Sequence, residues 1–100
     1  MNALTVHSNE VRQLCESIKV KSLFAFGSVT TERFNADSDI DFVVDIEDND
    51  PLSYSDKYFD LKLQLEQLFK RKIDLLEQKT IRNPYLKARI DQTKVRVYGK

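Results

Sequence analysis

Leu23-Phe24-Ala25-Phe26-Gly27-Ser28 and, after ten intervening residues, Asp39-Ile40-Asp41-Phe42-Val43-Val44-Asp45-Ile46 form the stretch that decides how this chain folds. Leu23 to Phe26 is a short apolar run stopped by a glycine, the pattern of a buried strand. Residues 39–46 alternate. Ile40, Phe42, Val44 and Ile46 fall on one side and Asp39, Asp41, Val43 and Asp45 on the other, which predicts a strand with one face in a core. Two strands so closely joined are expected to pair antiparallel, bringing Gly27-Ser28 beside the carboxylates.

That juxtaposition has chemical content. Asp39 and Asp41 are two residues apart on a strand, so both carboxylates leave the same face and can converge on divalent cations. Like charges held this close repel unless a cation neutralises them. Glycine lets a backbone approach a phosphate closely. A helical turn starting at Gly27 would add its N–H groups and the Ser28 hydroxyl as phosphate donors.

Outward from this stretch, Val11, Leu14, Cys15 and Ile18 follow the spacing of one buried helical stripe, with Ser8 or Asn9 as the expected cap. Cys15 falls on the apolar face and reads as an inert core thiol. Residues 47–51 form a turn, and Ser53 with Asp56 resembles a capping box. Tyr54, Tyr58, Leu61, Leu65, Leu68 and Phe69 trace a second helix that closes at Lys70-Arg71-Lys72, with the tyrosines read as core. Lys72 to Glu77 is a third strand, Asn83-Pro84 starts a third helix with Leu86 and Ile90 inward, and Lys94 to Tyr98 is a short edge strand. The order indicates an α/β (α+β) architecture, a mixed sheet covered by helices.

The helix over 54–69 is long enough for a right-handed crossover, which would set the Asp74 strand parallel to the Asp39 strand. Asp74 then completes a carboxylate triad with Asp39 and Asp41, whereas Asp45 lies further along the face. In a two-metal scheme one ion activates the attacking oxygen and the other steadies the triphosphate, with Asp74 bridging or accepting a proton.

The 100 residues, 41% of them hydrophobic, fit one domain spanning 1–100. Two glycines and two prolines leave no flexible linker or repeat. The single cysteine excludes an internal disulfide, and no apolar run approaches the roughly 20 residues that span a bilayer, so a cytoplasmic protein is expected. The net charge is zero but segregated. From Asp37 to Asp60 there are nine acids against one lysine, and from Leu61 to Lys100 eleven bases against four acids. The acidic part suits cations and the basic part an anionic ligand such as a nucleoside triphosphate. Direct nucleic-acid binding is not indicated.

The run FAFGSVTTERFNADSDIDFVV, residues 24–44, resembles the signature of the DNA polymerase beta nucleotidyltransferase superfamily, specifically the minimal nucleotidyltransferases (MNT) found with HEPN proteins. The resemblance extends to Lys-Ile-Asp-Leu-Leu, residues 72–76, and Arg-Asn-Pro-Tyr-Leu, residues 82–86. It implies a nucleotidyltransferase-like fold in which Gly27 and Ser28 bind the triphosphate of ATP, or another nucleoside triphosphate, and Asp39, Asp41 and Asp74 hold two Mg2+ ions. It also implies an antitoxin that adenylylates a tyrosine of a HEPN ribonuclease toxin, or neutralises it by binding. Many relatives read Gly-Ser-x-Ala-Arg-Gly, whereas this chain reads Gly27-Ser28-Val29-Thr30-Thr31-Glu32. Arg33, two positions after the usual arginine, is the expected substitute phosphate contact.

Other readings compete. Asp37-x-Asp39-x-Asp41 opens like a calcium-binding EF-hand loop, but the sixth position is Phe42 rather than glycine and the twelfth Asp48 rather than glutamate. Nucleotidyl transfer to a small molecule would call for a further substrate-binding region. His7, before the first helix, reads as solvent-exposed rather than as a ligand. Ser38 reads as a turn cap or an orienting neighbour of Asp39.

Overall fold

The computed structural model describes residues 3–31 and 38–99. The expected order of elements holds, with a short extra helix at the start: α1 (Ala3–Val6), α2 (Ser8–Ile18), β1 (Val20–Phe26), β2 (Ile40–Ile46), α3 (Pro51–Phe69), β3 (Ile73–Glu77), α4 (Pro84–Thr93) and β4 (Val95–Gly99). Two 3-10 turns, Gly27–Thr30 and Gln78–Thr80, follow β1 and β3. The four strands form one mixed sheet in the order β3-β2-β1-β4. β1 is antiparallel to both β2 and β4, and the α3 crossover returns β3 parallel to β2.

The alternation in β2 splits the molecule into two unequal cores. Ile40, Phe42, Val44 and Ile46 are fully buried with Leu23, Ala25, Ile73 and Leu75 on one face of the sheet. α2 covers that face through Val11, Cys15 and Ile18, and α3 through Leu61, Leu65 and Phe69. The Cys15 thiol is pushed up to about 12, by burial first and then by Glu16, as expected of an inert core thiol. On the opposite face, Phe26, Val43 and Ile90 make a smaller core with Phe24, Leu76, Ile81 and Leu86. α4 therefore covers only part of the acid-bearing face.

Helix ends differ from expectation in two places. α3 begins at Pro51, and its cap is Asp50, whose carboxylate accepts the Leu52 N–H at 3.2 Å. Pro51 at the first helical position fixes that start, so Ser53 lies inside the helix and its hydroxyl donates to Asp48 instead. α2 has His7 at its N-cap with no side-chain cap bond, so neither Ser8 nor Asn9 caps it. His7 is half-buried rather than exposed, edge-on to the Phe69 ring at 5.0 Å between centroids. α2 and α3 both end in a lysine, Lys19 and Lys70, in the left-handed conformation, which turns the chain sharply into the next strand.

Tyr54 and Tyr58 belong to the core edge, as expected. Their hydroxyls donate to Glu77 and to the Leu75 carbonyl, tying α3 to β3. Leu61→Ala should cost about 2–5 kcal/mol of unfolding free energy in a urea titration, because Leu61 is wholly buried between α3 and the sheet. Leu63→Ala, at an exposed position of the same helix, should stay within about 0.5 kcal/mol.

Candidate active site

The register of the sheet fixes the acids. Asp41 is the direct partner of Asp74 across the parallel β2–β3 ladder and of Phe26 across the antiparallel β1–β2 ladder. Facing residues in adjacent strands share a face, so Asp41 and Asp74 project to the same side, with Gly27 one residue past the pair. Asp39 lies just before β2, exposed, and close enough to add its charge to the field at Asp41. The approach to β2 is pinned by Arg71, whose guanidinium donates to the Ser38 carbonyl at 2.9 Å, and by the Ile40 N–H to Lys72 carbonyl bond at 3.2 Å. Ser38 contributes its backbone carbonyl to this anchor.

Electrostatics mark Asp41 as the strained member. Its carboxyl is held above its ordinary value of 3.8, by burial first and then by Asp74; Arg89 pulls it down, and Asp39 adds a smaller push upward. Asp45, further along the same face, has Lys21 at 4.0 Å and Lys79 at 3.9 Å and belongs to a surface ion network instead.

The Gly27–Thr30 turn begins where expected, but its glycine serves a different purpose. Gly27 has φ +75°, and a Cβ there would stand 2.6 Å from Asp41 Oδ2 and 3.8 Å from Arg89 Nη2. The absent side chain leaves room for the Asp41 carboxylate. The Gly27 N–H is also committed, donating to Thr93 Oγ1 at 3.0 Å. The Gly27 N–H is therefore not a free donor, nor is that of Thr31, which donates to the Ser28 carbonyl at 3.0 Å; the Ser28 hydroxyl remains the candidate phosphate donor of this turn. Arg33 lies outside the described residues.

Two residues of the site have no counterpart among those expected from sequence, Arg89 and Thr93, both on α4. The sequence signal for them was faint: Arg89 is adjacent to the inward Ile90 and Thr93 one turn further. Nothing in their spacing reveals that α4 ends against the β1 turn.

The donor set consists of carboxylate oxygens, which suit hard cations such as Mg2+. Asp41 and Asp74, facing each other beside a space a Cβ would fill, fit that use. Among the described residues, however, no three His, Cys, Asp or Glu side chains are drawn together into a closed ion-binding group. The expected triad is thus present as a facing pair plus Asp39 at its entrance. The enclosed cleft on this face, about 180 Å3, lies between α4 and the sheet and is lined by Phe24, Val43, Ile81, Lys87, Ile90 and Lys94. Asp39 and Asp74 stand instead on open surface.

Comparison with known proteins places the chain in a family. The family model described as polymerase beta, nucleotidyltransferase, matches residues 9–100. The chain belongs to the polymerase beta nucleotidyltransferase family. Its class of chemistry is nucleotidyl transfer. Two proteins of Methanocaldococcus jannaschii, each named "putative protein adenylyltransferase", are similar to it. One is 38% identical over 79 residues, 79% of this chain and 78% of the relative. The other is 36% identical over 81 residues, 81% and 80% of the two. Among solved structures, one called a "putative minimal nucleotidyltransferase" superposes with a TM-score of 0.73 at 25% identity, covering 95% of each chain. A chain of a toxin–antitoxin crystal structure with AMP-PNP has the same fold, with a TM-score of 0.72 at 20% identity, over 93% of this chain and 73% of that one. So does a chain from the complex of a tri-AMPylated Shewanella oneidensis HEPN toxin with its MNT antitoxin, with a TM-score of 0.67 at 18% identity, over 97% and 73%. Among the described residues, no helix is long and apolar enough to cross a membrane.

Two measurements check the local physics. Gly27→Ala should destabilise the fold by more than the roughly 1–2 kcal/mol of a left-handed non-glycine residue, because its Cβ also meets the Asp41 carboxylate; thermal unfolding reads this directly. The second concerns pH. A carboxyl whose folded value is raised stabilises the fold below 3.8 and loses that contribution as pH rises through the folded value. Asp41→Asn should therefore raise Tm at pH 7 in chelated buffer, with the gain shrinking as the pH falls through the raised folded value and gone below 3.8.

Proposed function

We propose that the chain is a metal-dependent adenylyltransferase that moves AMP from ATP onto a partner protein, a HEPN toxin, and so acts as its antitoxin. The observation that carries the reading is the facing Asp41–Asp74 pair beside the Gly27-Ser28 turn, in a chain of nucleotidyltransferase fold. The names of the curated relatives support protein adenylylation, and those of the structural neighbours support a HEPN partner and an ATP-like ligand.

In this reading Asp39, Asp41 and Asp74 hold two Mg2+ ions, and Gly27 and Ser28 border the triphosphate, with Arg33 as a further phosphate contact. Bound magnesium supplies the positive charge that makes the attacking hydroxyl oxygen nucleophilic and neutralises the leaving pyrophosphate. Asp74, the more exposed of the facing pair, is placed to accept the proton of an incoming hydroxyl. The open surface at Asp39 and Asp74 lets another molecule present that hydroxyl, so the acceptor is supplied in trans. Residues 1–100 act as one minimal domain in the cytoplasm, where ATP is available.

A second reading is an antitoxin that neutralises a HEPN partner by covering it, without catalysis. It is favoured by Thr31 standing where many relatives carry arginine. Transfer to a small molecule is a third alternative, which would call for a further substrate-binding region.

Incubation with ATP, Mg2+ and the HEPN protein should add adenylyl mass to that protein, read by intact mass spectrometry. Asp41→Asn, or chelation of the metal, should lower the rate at least roughly hundredfold, given the several kcal/mol of charge stabilisation a metal ion supplies. Neutralisation of the toxin without any added mass, unchanged by Asp39→Asn with Asp41→Asn, would replace the enzymatic reading with the binding one.

A further inference from the structure

The turn that borders the proposed triphosphate site brings no positive charge of its own. Gly27, Ser28, Val29, Thr30 and Thr31 are all neutral, and the Thr31 hydroxyl folds back onto the Ser28 carbonyl at 3.0 Å. Neutral donors alone leave most of the negative charge of a triphosphate uncompensated.

The fold supplies a cation from elsewhere. Arg89, in the middle of α4, places Nη2 3.8 Å from the point where a Gly27 Cβ would stand, a point 2.6 Å from Asp41 Oδ2. α4 is held there by Thr93, whose hydroxyl accepts the Gly27 N–H at 3.0 Å and donates to the Arg89 carbonyl at 2.9 Å. One threonine thus couples the phosphate-side turn to the helical turn that carries the arginine. Arg89 is exposed, and among the described residues no carboxylate lies within ion-pair distance of it. Its fork of N–H donors is free to meet a ligand, in the planar geometry that suits phosphate oxygens.

We propose that Arg89 is a triphosphate-binding residue of this site, contacting the β- and γ-phosphates from α4 while Thr93 holds it in position. The inference rests on the nucleotide-binding reading above. In the free protein Arg89 offsets part of the negative field around Asp41. With cations on the carboxylates that task lapses, and the guanidinium is left to meet the phosphates.

The test compares affinities for a non-hydrolysable ATP analogue and for AMP, with Mg2+ and in chelator, using the intact chain and the variants Arg89→Gln, Arg89→Lys and Arg33→Gln. Arg89→Gln should weaken the ATP analogue about 10–100-fold, the range for hydrogen bonds to charged groups, and AMP by no more than about threefold. The selective loss should persist at saturating Mg2+, Tm should be unchanged within about 2 °C, and Arg89→Lys should recover part of the affinity. An unchanged ratio of ATP-analogue to AMP affinity overturns the inference. So does a loss seen only as a higher Mg2+ requirement, since Arg89 would then act on Asp41 alone, or a selective loss confined to Arg33→Gln. If the unaltered chain binds neither nucleotide, both this inference and the enzymatic reading fail. If it binds both and Arg89→Gln does not change the ratio, only this one fails.

Discussion

Everything at the site follows from one constraint: the parallel register of β2 and β3 sets two carboxylates, Asp41 and Asp74, directly opposite each other on one face of the sheet. That register is not chosen by the acids. It is imposed from the other face, where Ile40 pairs with Ile73 and Phe42 with Leu75 in the main core. Sliding β3 by one residue would turn Ile73 and Leu75 out of that core, a cost of several kcal/mol. The hydrophobic face therefore holds the like charges together against their repulsion.

The glycine before the acids is part of the same arrangement. A left-handed Gly27 at the end of β1 leaves space that Asp41 Oδ2 occupies and commits its N–H to Thr93 at the end of α4. The smaller core of Phe26, Val43 and Ile90 brings that helix end into reach. Three distant parts of the chain, the β1 turn, the β2–β3 ladder and the end of α4, are thereby brought to one place. A polar bond and a minor apolar cluster close what the main core begins.

How much of this is legible in the sequence depends on the range of the interaction. The strict alternation of residues 39–46 announces β2, its buried face and the orientation of Asp39 and Asp41 by itself. The length of the Tyr54–Phe69 stripe is enough to foresee a parallel return at Asp74. Local signals mislead where two overlap: Ser53 with Asp56 resembles a capping box, yet Pro51 starts the helix earlier and Asp50 caps it. His7 looks exposed by position, but the ring of Phe69, 62 residues away, covers it. Arg89 and Thr93 are hidden for the same reason, since their meaning lies in a contact with Gly27 that no spacing within α4 encodes.

The glycine of the Gly-Ser pair has one role expected from sequence and another visible in the fold. From sequence, Gly27 is the residue that lets a phosphate come close. In the fold, the space it leaves is already bordered by an acid and an arginine of the chain itself. These two accounts agree only if the acid is neutralised and the arginine turns to a ligand, because a phosphate cannot approach an uncompensated carboxylate without strong repulsion. Cation binding and phosphate binding are then coupled events at one glycine: the charge that makes Asp41 costly in the free protein is what the cation cancels, and cancelling it admits the phosphates. On the proposed reading, the repulsion at Asp41 would favour a metal and a nucleotide arriving together.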